Sequence, residues 1–160
     1  MSLHLLVKME VLLLHKGPIH KFKLSHQDLL GVTNIDRCML CISKSSIKEF
    51  ILEIWKGQRY KPPFCLFNCQ NFIHLELFNC LLKPPLTFKG FKNLMSLDLQ
   101  HITIIQDVFE NLISSCPLLK RLTLMNFTSV THFSINTPKP IIFCACMAIF
   151  VTWATSSIQC

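Results

Sequence analysis

Apolar residues return along this chain in one spacing, and the clearest copy is Leu94-x-x-Leu97-x-Leu99-x-x-Ile102. The same spacing is met in Phe72-x-x-Leu75-x-Leu77-x-x-Cys80-x-Leu82 and in Leu119-x-x-Leu122-x-Leu124-x-x-Phe127. Looser copies stand at Ile19-x-x-Phe22-x-Leu24, Ile47-x-x-Phe50-x-Leu52 and Val130-x-x-Phe133-x-Ile135. Each copy holds a short alternation of apolar and polar positions, which is the period of a strand with one face buried. Measured on the first residue of each alternating pair, the steps are 28 (22 to 50), 25 (50 to 75), 22 (75 to 97) and 25 (97 to 122). Strands are therefore predicted near 20–25, 48–54, 73–78, 95–100 and 120–125. Phe133 follows Leu122 too closely for a helical return, so a hairpin-like or helix-free turn is expected between them.

The connections carry a second period. Leu5, Leu6, Met9, Leu12 and Leu13 form a stripe that predicts a helix over 3–15, capped by Ser2 and stopped by Gly17-Pro18. Ile35, Cys38, Met39 and Ile42 predict another over 35–43, and Val108, Phe109, Leu112 and Ile113 a third over 107–115. Pro62-Pro63 and Pro84-Pro85 exclude long helices from 56–70 and 83–93. Extended or one-turn pieces are expected there, plugged into the core by Phe64, Leu66, Phe67, Phe88 and Phe91.

Strands repeating at steps of this size bracket the leucine-rich repeat range. Such a unit cannot bury its own apolar face, so neighbours must stack into one continuous core. The predicted fold is an α/β leucine-rich repeat solenoid, right-handed, with a curved parallel sheet and irregular helices or loops outside. Residues 1–18 would cover the first repeat, 19–138 would form the repeats, and 139–160 would be an apolar tail.

Strand alternation then names the residues on the open side of the sheet. One row reads Lys21, Glu49, His74, Ser96, Arg121, His132; the next Lys23, Ile51, Glu76, Asp98, Thr123, Ser134; the third Ser25, Glu53, Phe78, Gln100, Met125, Asn136. Charges of both signs mix, with Ile51, Phe78 and Met125 as apolar anchors. That composition suits a protein partner ringed by polar groups. A nucleic-acid groove would align Lys and Arg with aromatic platforms, which these rows lack.

The formal charge of +7 changes this picture little, since many lysines fall in turns, where solvated loops carry them. Four glycines, none close together, exclude a phosphate-cradling loop. Nine cysteines without a usable signal peptide point to a reducing compartment, hence a cytoplasmic or nuclear location. Cys38-x-x-Cys41 with Cys65-x-x-x-Cys69 has the thiolates for zinc, but Cys38 lies in a helix stripe and packing is the preferred reading. His20, His74 and His132 read as a solvent-facing row. No spacing of His or Cys supports a nucleophilic dyad, so neither catalysis nor a cofactor is expected. Ile141 to Thr155 is almost unbroken apolar sequence, short for a bilayer. It reads first as a buried strand that closes the end of the solenoid, and otherwise as a disordered end or a membrane insertion.

The stretches HKGPIHKFKL (15–24), SIKEFILEIWKGQRY (46–60), NFIHLELFNCLLKPP (71–85), FKNLMSLDLQHITI (91–104) and LISSCPLLKRLTLMNF (112–127) together resemble the leucine-rich repeat region of plant F-box/FBD/LRR-repeat proteins. The resemblance spans roughly 15–138 and implies a substrate-recognition module of a cullin-RING ubiquitin ligase. Neither the F-box, which docks the ligase adaptor, nor the FBD region has a counterpart in these residues. The expectation is a non-catalytic module that binds a protein but not the ligase adaptor. The alternative is a standalone repeat scaffold or competitor with no ligase role.

Overall fold

A computed structural model describes residues 19–26, 32–126 and 141–146. Six strands form one sheet in chain order, β1 (Lys21–His26), β2 (Glu49–Ile54), β3 (His74–Phe78), β4 (Ser96–Gln100), β5 (Arg121–Met125) and β6 (Ile142–Cys146). Every neighbouring pair is parallel. The connections contain helix α1 (Val32–Ser43), the single turn α2 (Phe64–Phe67) and helix α3 (Gln106–Ser114). Parallel strands need a crossover between them, and in the described connections helix or extended chain supplies it. The result is a leucine-rich repeat solenoid built on a curved parallel sheet.

The register follows the repeat. Phe22, Phe50, Leu75, Leu97 and Leu122 lie opposite one another strand by strand, and so do Leu24, Leu52, Leu77, Leu99 and Leu124. Apart from the half-buried Phe22, these residues are essentially removed from solvent. Ile35, Cys38, Met39 and Ile42 of α1, with Phe109, Leu112 and Ile113 of α3, complete the same cluster. An aromatic spine runs through it: Phe22 stacks on Phe50 at 6.3 Å and Phe50 on Phe72 at 5.7 Å. Phe91 carries the spine onward, 6.0 Å from Phe72 and 6.4 Å from Phe67. A buried tyrosine must place its hydroxyl, and Tyr60 donates to Oδ1 of Asp36 on α1 at 2.5 Å.

One packing expectation is corrected. Phe64 is 59% exposed, because a single turn offers one side to the core and Leu66 and Phe67 occupy it. The sixth strand is built from Ile142–Cys146, the start of the apolar tail. Phe143 lies opposite Leu122 and Ala145 opposite Leu124, so the step from 122 to 143 continues the repeat. The tail therefore enters the sheet, as the strand reading of it required. The copy at Val130 to Ile135, the helix predicted over 3–15, and 147–160 lie outside the described residues.

Candidate protein-binding face

The open face of the sheet carries the polar halves of the same alternation. Lys21, Glu49, His74, Ser96 and Arg121 stand in one register row. Lys23, Ile51, Glu76, Asp98 and Thr123 form the second, and Ser25, Glu53, Phe78, Gln100 and Met125 the third. The sheet thus brings thirteen of the fourteen expected binding residues onto one surface. His132, the fourteenth, lies outside the described residues, and Ile142 holds the place beside Arg121 that was expected for it. Ser134 and Asn136 fall outside the described residues too, with Cys144 beside Thr123 and Cys146 beside Met125.

Ion pairs organise the β1–β2 end. Lys21 Nζ lies 3.0 Å from Glu49 Oε2, and Lys23 Nζ lies 2.6 Å from Glu53 Oε1. Hydrogen bonding to Lys21, and then its charge, holds the Glu49 carboxyl below its ordinary range. Ile51 was expected as an exposed anchor, yet it is only 8% exposed. In register it lies between Lys23 on β1 and Glu76 on β3, with Glu49 and Glu53 two places before and after it on β2. The histidine row is corrected as well: Lys21, not His20, stands opposite Glu49 and so in line with His74, because His20 precedes the register.

The middle of the face is acidic. Glu76 and Asp98 sit directly opposite each other on β3 and β4. Burial first, then Asp98 and Glu53, push the Glu76 carboxyl above its ordinary range. His74 Nε2 approaches Glu76 at 3.9 Å, and Gln100 Nε2 donates to Asp98 Oδ1 at 3.1 Å.

Beside the carboxylates runs an aromatic ridge that the three rows only partly contained. The Trp55 and Phe78 rings lie 4.8 Å apart, and the Phe78 and His101 rings 5.1 Å apart edge to face. Trp55 is 55% exposed, and its Nε1 donates to Ser25 Oγ at 3.1 Å, which fixes the ring's orientation. His101 Nε2 meets Asn126 Nδ2 at 3.0 Å. Trp55 stands two places after Glu53, so strand alternation already assigns it to this face; the row ended one step too early. His101 had no such cue. It belongs to a strand-exit position, shared with Asn79 and Asn126, whose φ values are 52°, 57° and 52°. Asn and His tolerate that left-handed conformation better than most residues.

Cys38, Cys69, Cys80 and Cys116 behave as core, while Cys41 and Cys65 are half-buried and Cys144 is exposed. Among the described residues they are free thiols, and no His/Cys/Asp/Glu group is arranged to hold a metal ion. Burial pushes the Cys69 thiol up to about 12 and raises Cys38, Cys80 and Cys116 as well. A protonated thiol is a poor nucleophile and a poor metal ligand. Among the described residues no helix is long and apolar enough to cross a membrane.

A surface of this kind can hold another chain across several strands, and similar sequences point the same way. Residues 11–143 match the model of the At1g61320/AtMIF1 LRR domain. The chain belongs to this leucine-rich repeat family. It is also 46% identical over 128 residues to the F-box/FBD/LRR-repeat protein At1g13570 of Arabidopsis thaliana, covering 80% of this chain and 30% of that protein. The putative F-box/LRR-repeat protein At3g58920 of the same plant is 26% identical over 113 residues, 65% of this chain and 24% of that protein. The F-box/LRR-repeat protein At3g58980, also from this plant, is 29% identical over 100 residues, 58% of this chain and 17% of its own length. The chain thus spans less than a third of the curated relatives it matches. No solved structure matches it.

Proposed function

We propose that this leucine-rich repeat chain is a non-catalytic recognition module, holding a protein destined for ubiquitin transfer on the open face of its sheet. The observation that carries the reading is that face. Fifteen polar and apolar side chains stand in three register rows, and the exposed Trp55 packs against the half-buried Phe78 at their edge. An exposed tryptophan fixed by a hydrogen bond is the type of anchor that dominates protein interfaces. The F-box/LRR names of the relatives support the ligase context. No cofactor and no nucleic acid enter the proposal, and the partners lie in the cytoplasm or nucleus.

The test is capture of proteins from plant tissue by the tagged chain, with the Trp55→Ala/Phe78→Ala variant beside it. Proteins that bind the face are recovered with the parent chain and lost with the variant. Expressed in excess, a module that only recognises shields those proteins from turnover, so their half-lives lengthen. Captured proteins indifferent to the variant would refute the face. Captured proteins with unchanged half-lives would refute the ligase context and leave a scaffold.

A further inference from the structure

We infer that the open face receives a cationic side chain, a lysine or arginine on an extended segment of the partner protein, between the Glu76–Asp98 pair and the Trp55–Phe78 rings. The inference rests on the reading of this face as a protein-binding surface, and it names the chemistry of what binds. Charge complementarity is the first support. Lys21 with Glu49 and Lys23 with Glu53 cancel in pairs at 3.0 and 2.6 Å. Glu76 and Asp98 remain, facing each other in register. Like charges placed directly opposite across neighbouring strands destabilise a sheet. His74 Nε2 stands 3.9 Å from Glu76, and the charge of Lys23 also reaches that carboxylate. The chain as a whole carries +7, so this negative centre is a local exception to its composition.

The second support is the ridge. Phe78 stands two places after Glu76 on β3, so its ring rises from the same face about 7 Å along the strand. Trp55 packs against it with ring centroids 4.8 Å apart and stays 55% exposed. A cation within about 6 Å of a tryptophan face is attracted by the ring quadrupole, and desolvation beside carboxylates strengthens the contact. One ammonium or guanidinium would thus relieve the Glu76–Asp98 repulsion while its aliphatic stem covers the exposed Trp55 ring and the half-buried Phe78. A membrane of anionic lipid or a nucleic acid would meet the same carboxylates with repulsion.

Selection of a random peptide library on the purified full chain tests this, followed by fluorescence anisotropy of the enriched peptides. Variants are Glu76→Gln/Asp98→Asn, Trp55→Ala and Phe78→Ala, each checked for folding by circular dichroism. The enriched peptides are expected to carry Lys or Arg, and their affinity to fall about tenfold in the amide variant and severalfold in Trp55→Ala. Added salt should weaken the parent chain's binding more than the amide variant's. Enriched peptides that lack Lys and Arg, yet weaken with Phe78→Ala, would overturn the cation and leave the protein-binding face standing. Peptides indifferent to every variant, or no enrichment at all, would remove both.

Discussion

Gly90 holds φ at +87°, and a Cβ placed on it would come within 1.8 Å of the carbonyl oxygen of Ser115. Gly90→Ala is therefore expected to cost about 3 kcal/mol or more, read as a loss of thermal midpoint, since neither the backbone angle nor the carbonyl can yield cheaply. At the sheet, Leu97→Asp should abolish folding while Asp98→Ala leaves the chain folded, its melt at or slightly above the parent's. Leu97 is 1% exposed, and an unpaired charge there is very costly, whereas Asp98 faces the open side. Glu76 gives a pH signature. Its carboxyl is raised above the ordinary 4.5 by burial, Asp98 and Glu53. Below 4.5 both folded and unfolded chains hold the proton. As pH rises through that value the unfolded chain releases it first, and stability falls up to the folded value and stays lower. Glu76→Gln should thus raise the melting midpoint by about 2 °C at pH 7. That gain should close as the pH is brought below 4.5 in parallel melts. Residue by residue, the leucines of the sheet were legible because alternation alone assigns their side. Gly90 was not, because its clash partner, Ser115, is distant in sequence and only the fold brings the two together.

Strand placement was legible to within a residue because the same alternation recurs five times and each copy confirms the others. Helices α1 and α3 were legible through their stripes, although α1 begins at Val32 and α3 at Gln106, earlier than their first inward residues require. The turns off the sheet were less readable. Asn79 takes φ 57° and donates its side-chain Nδ2 to the Ile54 carbonyl at 3.0 Å, so it both makes the bend and ties it to β2. Asn79→Ala removes the bond and leaves a residue less suited to that angle, and a loss of about 1–2 kcal/mol is expected in denaturant unfolding. Asn79→Gly keeps the angle and should recover part of the loss, which separates the backbone demand from the hydrogen bond. The aromatic ridge joins these two levels. Trp55 follows from strand alternation, while His101 reaches the ridge through the left-handed turn that ends β4.

For the whole molecule, stability is a sum along one dimension, each repeat supported by its neighbours. The end of such a stack matters most, because a strand without a neighbour presents unpaired backbone and apolar edge together. Spacing alone pointed to the neighbourhood of Phe133 for the position after β5, since that copy of the motif comes first. Yet the interval from 122 to 133 is too short for a parallel return, and the described sheet takes Ile142–Cys146 instead. The apolar run reads ambiguously because an uncharged segment of that length suits a buried strand first, yet also fits a free end or, though short, a membrane insertion. Pairing with β5 resolves its first part: the Ile142 amide donates to the Lys120 carbonyl at 2.8 Å, and Ile141 is 9% exposed. Two truncations follow from this. Removing 147–160 leaves all six described strands, so the thermal midpoint and the parent's sedimentation behaviour should be kept or improved. Removing 141–160 takes β6 away and opens the edge of β5 beside Leu122 and Leu124, so the midpoint should drop and the chain should self-associate. If the chain lacking 141–160 instead sediments as a monomer with the parent's melting point, β6 contributes nothing to the stack and the sheet ends at β5.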